Sequence, residues 1–170
     1  MEKAKQGTGR RIRPATLNDL DELLALYAHA RDFMARNGNP TQWGTSRPTP
    51  EQVREGVVRC VSFVCEENGR IAAAFEFSDG PDPTYLVIRE GAWVNESAPY
   101  RVIHKLASYG NGAGRFCLDW CWSQFRNLRI DTHRDNIPMQ ALLKKCGFVY
   151  CGLIDTLHDG ERLAYQKIAD

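Results

Sequence analysis

The sequence is short of net charge. Its 22 Lys and Arg against 21 Asp and Glu leave only +1, and a chain that grips nucleic acid by its phosphates carries a basic face. The only basic tract is the short Arg10-Arg11-Ile12-Arg13, so nucleic acid is not an expected partner. Long apolar runs are missing as well: none approaches the roughly 18 residues that cross a bilayer. The first residues, Met1 to Gly9, are polar and show no signal peptide. No membrane partner is expected, and a cytoplasmic location is. Cys-x-x-Cys pairs are absent, and Cys117 and Cys121 have no His close by in sequence. The cysteines (Cys60, Cys65, Cys117, Cys121, Cys146 and Cys151) therefore read as reduced, mostly buried thiols, with no metal site.

What is present fits one folded unit. A chain of 170 residues that is 43% apolar and 25% charged can bury a core without disulfide staples. Residues 1–9 read as a flexible tail and 10–170 as a single domain. Arg11 to Ala15 reads as a strand, and Thr16-x-x-Asp19 is a capping box. Leu20, Leu23, Leu24, Tyr27, Ala30, Phe33 and Met34 then recur at helical spacing, with a possible break near His29, up to Asn37-Gly38. Pro50 starts a short helix to about Val58. Val61 to Glu66 and Arg70 to Phe77 alternate around Asn68-Gly69, a hairpin signal.

Thr84 to Ile88 reads as a further strand, and Trp93 and Val94 as buried. Tyr100 to Ala107 is a strand, and from Arg115 a helix follows that is almost wholly buried, with Arg115, Asp119, Ser123 and Arg126 as its solvent stripe. Leu128 to Thr132 is a strand, Asn136 caps a helix that Gly147 ends, and Phe148 to Thr156 with Leu163 to Ile168 form a last hairpin. The main elements run β, α, α, β, β, β, α, β, α, β, β.

The chemistry is concentrated in Tyr109-Gly110-Asn111-Gly112-Ala113-Gly114, between a strand and a helix. Three glycines in five residues let several N–H groups converge on one anion, and the helix dipole adds to the pull. A Walker loop would need Gly-Lys-Ser/Thr, where Gly114 is followed by Arg115-Phe116. A dinucleotide fingerprint would need a glycine at 115, although Asp131 lies at a tolerable distance. A coenzyme A pyrophosphate loop and a glycine-rich turn that binds nothing both remain.

The element order, the glycine loop and the segment Leu128 to Phe148, with its Asp135-Asn136-x-x-Met139 helix closing on Gly147-Phe148, resemble the GNAT superfamily of N-acetyltransferases over about residues 11–168. The resemblance implies an α/β (α+β) fold: a mixed, mostly antiparallel sheet of about seven strands with about four helices, the fourth and fifth strands splayed. It implies acetyl-CoA as cosubstrate and no metal. The backbone of Ile103, Leu106 and Ala107 would hold the pantetheine arm, and Gly110, Asn111, Gly112, Ala113, Gly114 and Arg115 the pyrophosphate. Asn136 would bond the arm or cap its helix. The family's loop reads Gln/Arg-x-x-Gly-x-Gly/Ala; Tyr109 or Asn111 stands at the Gln/Arg position, depending on register.

Acetyl transfer to a primary amine by direct attack needs a proton acceptor, oxyanion donors and an acid for the thiolate. Base candidates are His104, Glu90, Glu96 and His133, with His104 leading. Many family members carry a Tyr where Leu143 stands, so Tyr109, Tyr150 and His133 are the acid candidates. A catalytic Cys146 or Cys151 has nothing in sequence to lower its pKa. By the same analogy the acceptor pocket includes Phe33, Asn37, Gln42 and Trp43. The acceptor is a small-molecule or peptide amine. A CoA-binding module without catalysis, acting in regulation or sensing, is the alternative. Oligomeric state is not legible.

Overall fold

The computed structural model describes residues 9–170; the rest of the expected tail lies outside them. Seven strands form one sheet in the order β1-β2-β3-β4-β5-β7-β6. They are β1 (Arg10–Pro14), β2 (Ser62–Glu67), β3 (Arg70–Asp79), β4 (Arg101–Ser108), β5 (Asn127–Thr132), β6 (Val149–Thr156) and β7 (Gly160–Ile168). Every neighbouring pair is antiparallel except β4 with β5. Four α-helices cover it: α1 (Leu20–Arg36), α2 (Pro50–Val58), α3 (Ala113–Gln124) and α4 (Ile137–Lys145). None is long and apolar enough to cross a membrane.

Local chemistry accounts for the starts and stops. The Thr16/Asp19 capping box forms, and Arg13 grips the Asp19 carboxylate with two bonds of 2.8 and 2.9 Å. That fork, against the cost of burial, brings the Asp19 carboxyl down to about 2. The helix that follows runs unbroken through His29, because nothing at that position competes with its i to i−4 ladder. Thr49 and Gln52 make the second capping box, at α2, and Gly147 ends α4 with φ of 83°.

One sheet face carries α3 and α4. Phe75, Phe77, Ile103, Leu106, Cys117, Leu128 and Leu143 are buried there, and Phe63, Phe75 and Phe77 gather around Trp120. Each such ring contributes about 1.5–3 kcal/mol by leaving water. The helix α3 is less enclosed than its composition suggests, since Phe116, Trp120 and Trp122 are only half-buried. The other face packs α1 and α2 on Val64, Ile71, Ala74 and Ala107. Five cysteines are buried and free, and Cys60 is exposed.

The β3–β4 connection departs from expectation. Thr84 to Ile88 is not a strand: Asp82 caps a short 3-10 turn over Pro83–Tyr85 through the Thr84 amide. Proline at the first turn position leaves no donor for a ladder, which favours the turn. Trp93 is buried, whereas Val94 is exposed. The connection lies flush on β6 through a two-way bridge between Arg89 and Leu153, both bonds 2.8 Å. A Cβ at Gly91 would sit 2.0 Å from the Cys151 carbonyl oxygen, so only glycine allows the approach. Gly91→Ala should lower stability by about 1–3 kcal/mol, read as an earlier urea midpoint at unchanged slope; an unaltered midpoint would mean that the connection is not held there.

Candidate active site

The sheet splits at its centre. β4 and β5 pair only over Arg101–Ile103 against Leu128–Ile130, and β4 continues to Ser108 with no strand on that side. Against β3 the register slips between Ala74 and Glu76, so that β4 spends one more residue than its partner between Glu76↔His104 and Ala74↔Ala107. Lys105 is the extra residue, with φ of 52°. A bulge of this kind re-aims the strand. Ile103 and Leu106 therefore share the α3 face, while Ala107 packs toward α1.

Two cavities open at the split. A polar cleft of about 280 Å³ is lined by Gln42, Trp43, Glu76, Asp82, His104, Lys105, Asp131 and Arg162 among others. A more apolar slot of about 180 Å³ lies between β4 and α4, lined by Phe33, Leu106, Ala107, Gly114, Pro138 and Leu142 among others. Met34, Leu106, Asn136 and Met139 line both, so the slot leads into the cleft.

At the outer end of the slot, Gly110, Asn111 and Gly112 take φ of 97°, 54° and 78°, and Gly112 is the N-cap of α3. The Ala113 amide turns back to Gly110 O and the Gly110 amide to Ser108 Oγ. The amides of Gly112, Gly114 and Arg115 find no protein acceptor among the described residues. Together with the dipole of a 12-residue helix they form an anion-binding concavity. Arg10 braces it by donating to Asn111 O at 2.6 Å. The donors suit a pyrophosphate, and the narrow apolar slot beside an unpaired strand edge suits an amide-bearing arm.

His104 stands in the cleft with Nε2 2.7 Å from Asp82 Oδ2 and Nδ1 3.8 Å from Asp131 Oδ1. Burial disfavours the imidazolium, yet the Asp82 bond and the charges of Asp131 and Glu76 outweigh it, and its pKa rises. For Asp82, burial opposes ionisation, but the bonds from His104 and Thr84 prevail and bring it to about 2. An ionised Asp82 only accepts, so in neutral His104 the proton sits on Nε2 and the lone pair on Nδ1. Tyr85 donates to Asp131 at 2.5 Å; its burial pushes the phenol up and keeps that proton in place. Lys105 pairs with Glu76 at 2.7 Å.

The other expected residues divide. Asn136 caps α4 through the Met139 amide and bonds Gln42 Oε1 at 2.9 Å, while lining both cavities. Trp43 meets Tyr27 edge-on, 5.6 Å between centroids, and also walls the cleft. Phe33 borders the slot rather than the cleft, and Asn37 is the exposed C-cap of α1. Tyr109 lies on His29, 4.7 Å apart, and lines neither cavity. His133 accepts the Asp135 amide on Nδ1; burial and the charge of Arg162 push it down, and it too stands outside both linings. Glu90 is exposed, Glu96 borders a third cavity with Arg129, and Tyr150 packs on Tyr165. Leu143 is fully buried. Burial raises the thiols of Cys146 and Cys151.

Sequence reasoning passed over Glu76, Asp82, Lys105 and Arg162 as site residues and weighed Asp131 only as a dinucleotide acid. A signal existed for Arg162: with Ala164 and Gln166 it holds the inward alternation of β7, where a charge is costly unless used. Asp82 had none beyond its turn. Among the described residues no group of three or more His, Cys, Asp or Glu side chains is placed to hold a metal.

A splayed β4–β5 pair, an amide cradle at a helix start and a slot joining it to a polar cleft define an acyl-CoA-dependent acetyltransferase architecture. The chain belongs to the GNAT family of acetyltransferases. It is similar to a GNAT-family acetyltransferase of Streptococcus agalactiae, 31% identical over 95% of this chain and 96% of that one, with a TM-score of 0.88. A ribosomal-protein-alanine N-acetyltransferase from Brucella melitensis shares the fold at 20% identity, over 94% and 99% of the two chains, with a TM-score of 0.64. So does a chain of the NatC complex, whose structure holds Gag peptide and CoA, at 10% identity over 95% and 99%, with a TM-score of 0.63. No family model matches the sequence, and no curated protein does.

Proposed function

We propose that this chain transfers an acetyl group from acetyl-CoA to a primary amine by direct attack, with His104 as the base. The observation that carries the reading is the junction at Leu106, where the apolar slot from the amide cradle opens beside His104. Acetyl-CoA, when bound, supplies an activated acyl thioester. The amides of Gly112, Gly114 and Arg115 would hold its pyrophosphate, and the slot beside Ala107 its arm. The free edge of β4 near Leu106 and Ala107 offers N–H donors for oxyanion charge. Nδ1 of His104 takes the amine proton, and Asp82 and Asp131 stabilise the imidazolium that results.

No Tyr enters the cleft from α4, where Leu143 is buried, and the Tyr85 hydroxyl is committed to Asp131. The departing thiolate is therefore protonated from water. Calorimetry with CoA and acetyl-CoA, followed by a screen of amines for acceptor-dependent thiol release, tests the reading. Micromolar or tighter binding with acceptor-dependent release is expected. Absence of binding would remove the cofactor and the function together, and tight binding with no release from any amine would favour a CoA-binding regulatory module.

A further inference from the structure

Arg162 is a buried cation that forms no salt bridge among the described residues. It is 4% exposed, and its bonds go to main-chain carbonyls alone: Nη1 to Asp159 O at 2.7 Å and Glu161 O at 3.1 Å, Nη2 to Gln42 O at 3.2 Å. No carboxylate among the described residues pairs with it. The Asp159 side chain is taken by Arg47, and that of Glu161 by Arg89 and Arg134. Burying a guanidinium out of contact with any carboxylate costs several kcal/mol; the charge of Asp131 offsets part of that from beyond salt-bridge distance, and the three carbonyls fix the orientation of the group without neutralising it. Among the described residues Nε–H and one Nη2 hydrogen find no partner, and they sit on adjacent nitrogens that match the two oxygens of a carboxylate.

Arg162 lines the same cleft as His104, Asp82 and Asp131. The cleft thus holds a carboxylate-rich end, where a protonated amine is drawn in and can pass its proton to His104, and a guanidinium end. Its 280 Å³ falls just below the usual range for a drug-sized ligand, so both ends act on one compact molecule. The geometry points to an acceptor that is a free aminocarboxylate, an amino acid or a close derivative, whose carboxylate is clamped by Arg162 while its amine meets His104. This rests on the transferase reading. A peptide N-terminus offers an amide where the clamp requires a charge and would leave the guanidinium unpaired.

The test is an acceptor panel with the full-length enzyme and acetyl-CoA: the proteinogenic amino acids, the ω-amino acids from glycine to 5-aminopentanoate, and the amide and methyl ester of each, alongside polyamines and peptides. At least one free acid should be acetylated with kcat/KM about 100-fold above its own amide. Arg162→Gln should bring that ratio near one, and Arg162→Lys should restore part of it, while CoA affinity measured by calorimetry stays within about threefold of wild type. If Arg162→Gln fails to fold, the acid-to-amide ratio of the wild-type protein decides alone. Amides or esters turned over as well as acids, acetylation confined to polyamines or peptides, or CoA binding with no acid acetylated would each overturn the proposal. The first two would leave the transferase reading standing, whereas loss of CoA binding would strike at that reading itself.

Discussion

Gly112→Asp should cost about 2–4 kcal/mol of CoA affinity, about 30- to 1000-fold in Kd, while leaving the fold intact. Gly112 caps α3 at φ of 78°, a conformation that Asp and Asn tolerate better than other side chains. A carboxylate there stands beside the unpartnered amides of Gly114 and Arg115 and competes with any phosphate for them. For the helix itself a negative charge at the N-terminus is favourable, so Tm should stay within a few degrees as binding falls. Arg10, whose Nη1 would lie 3.6 Å from the new Cβ, partly neutralises the charge and draws the effect toward its lower end. Gly112→Asn keeps the shape without the charge and should bind CoA nearly as wild type does. Calorimetry on the three proteins checks it; equal affinity in all of them would mean that the phosphates bind elsewhere.

That loop was legible in the sequence because its chemistry is local. Glycines, a preceding strand and a following helix are written consecutively, and the caps at Thr16, Thr49 and Asn136 lie within four residues of what they cap. The order of the main elements along the chain was legible for the same reason. The polar cleft was not. Asp82 meets His104 across 22 positions and Tyr85 meets Asp131 across 46, and no periodicity in a single sequence encodes such a meeting. Asp82 sits in Gly80-Pro81-Asp82-Pro83, where turn chemistry explains the residue fully, so its second task left no trace. The misreading of Thr84 to Ile88 has the same root: Tyr, Leu, Val and Ile supply β propensity, but Asp82 and Pro83 fix a turn, and docking on β6 decides the rest. Tyr109 was drawn in by its place beside the glycines; in three dimensions its ring turns away to His29.

His104→Asn should reduce kcat/KM by about 10²- to 10⁴-fold, the usual worth of a positioned base, and should also erase the acidic limb of the pH profile. The folded-state pKa of His104 is raised above its ordinary 6.5 by the Asp82 bond and the charges of Asp131 and Glu76, against the cost of burial, and only the neutral imidazole accepts a proton. Wild-type activity therefore climbs with pH through a value above 6.5. Stability moves the other way. A raised pKa contributes stability that is present in full below 6.5 and is lost as pH rises through the folded value, so activity and unfolding free energy should cross in one window. The crossing separates a base from a packed histidine, which would give the stability trend without the rate trend. Asp82→Asn supplies the complementary shift: without the carboxylate the imidazolium loses its hydrogen-bonded counter-charge, and the acidic limb should move to lower pH. CoA affinity should be unchanged in both variants. An acidic limb that survives His104→Asn would assign the proton to another group, and Glu76, its cross-strand neighbour in the cleft, would be the next side chain to replace.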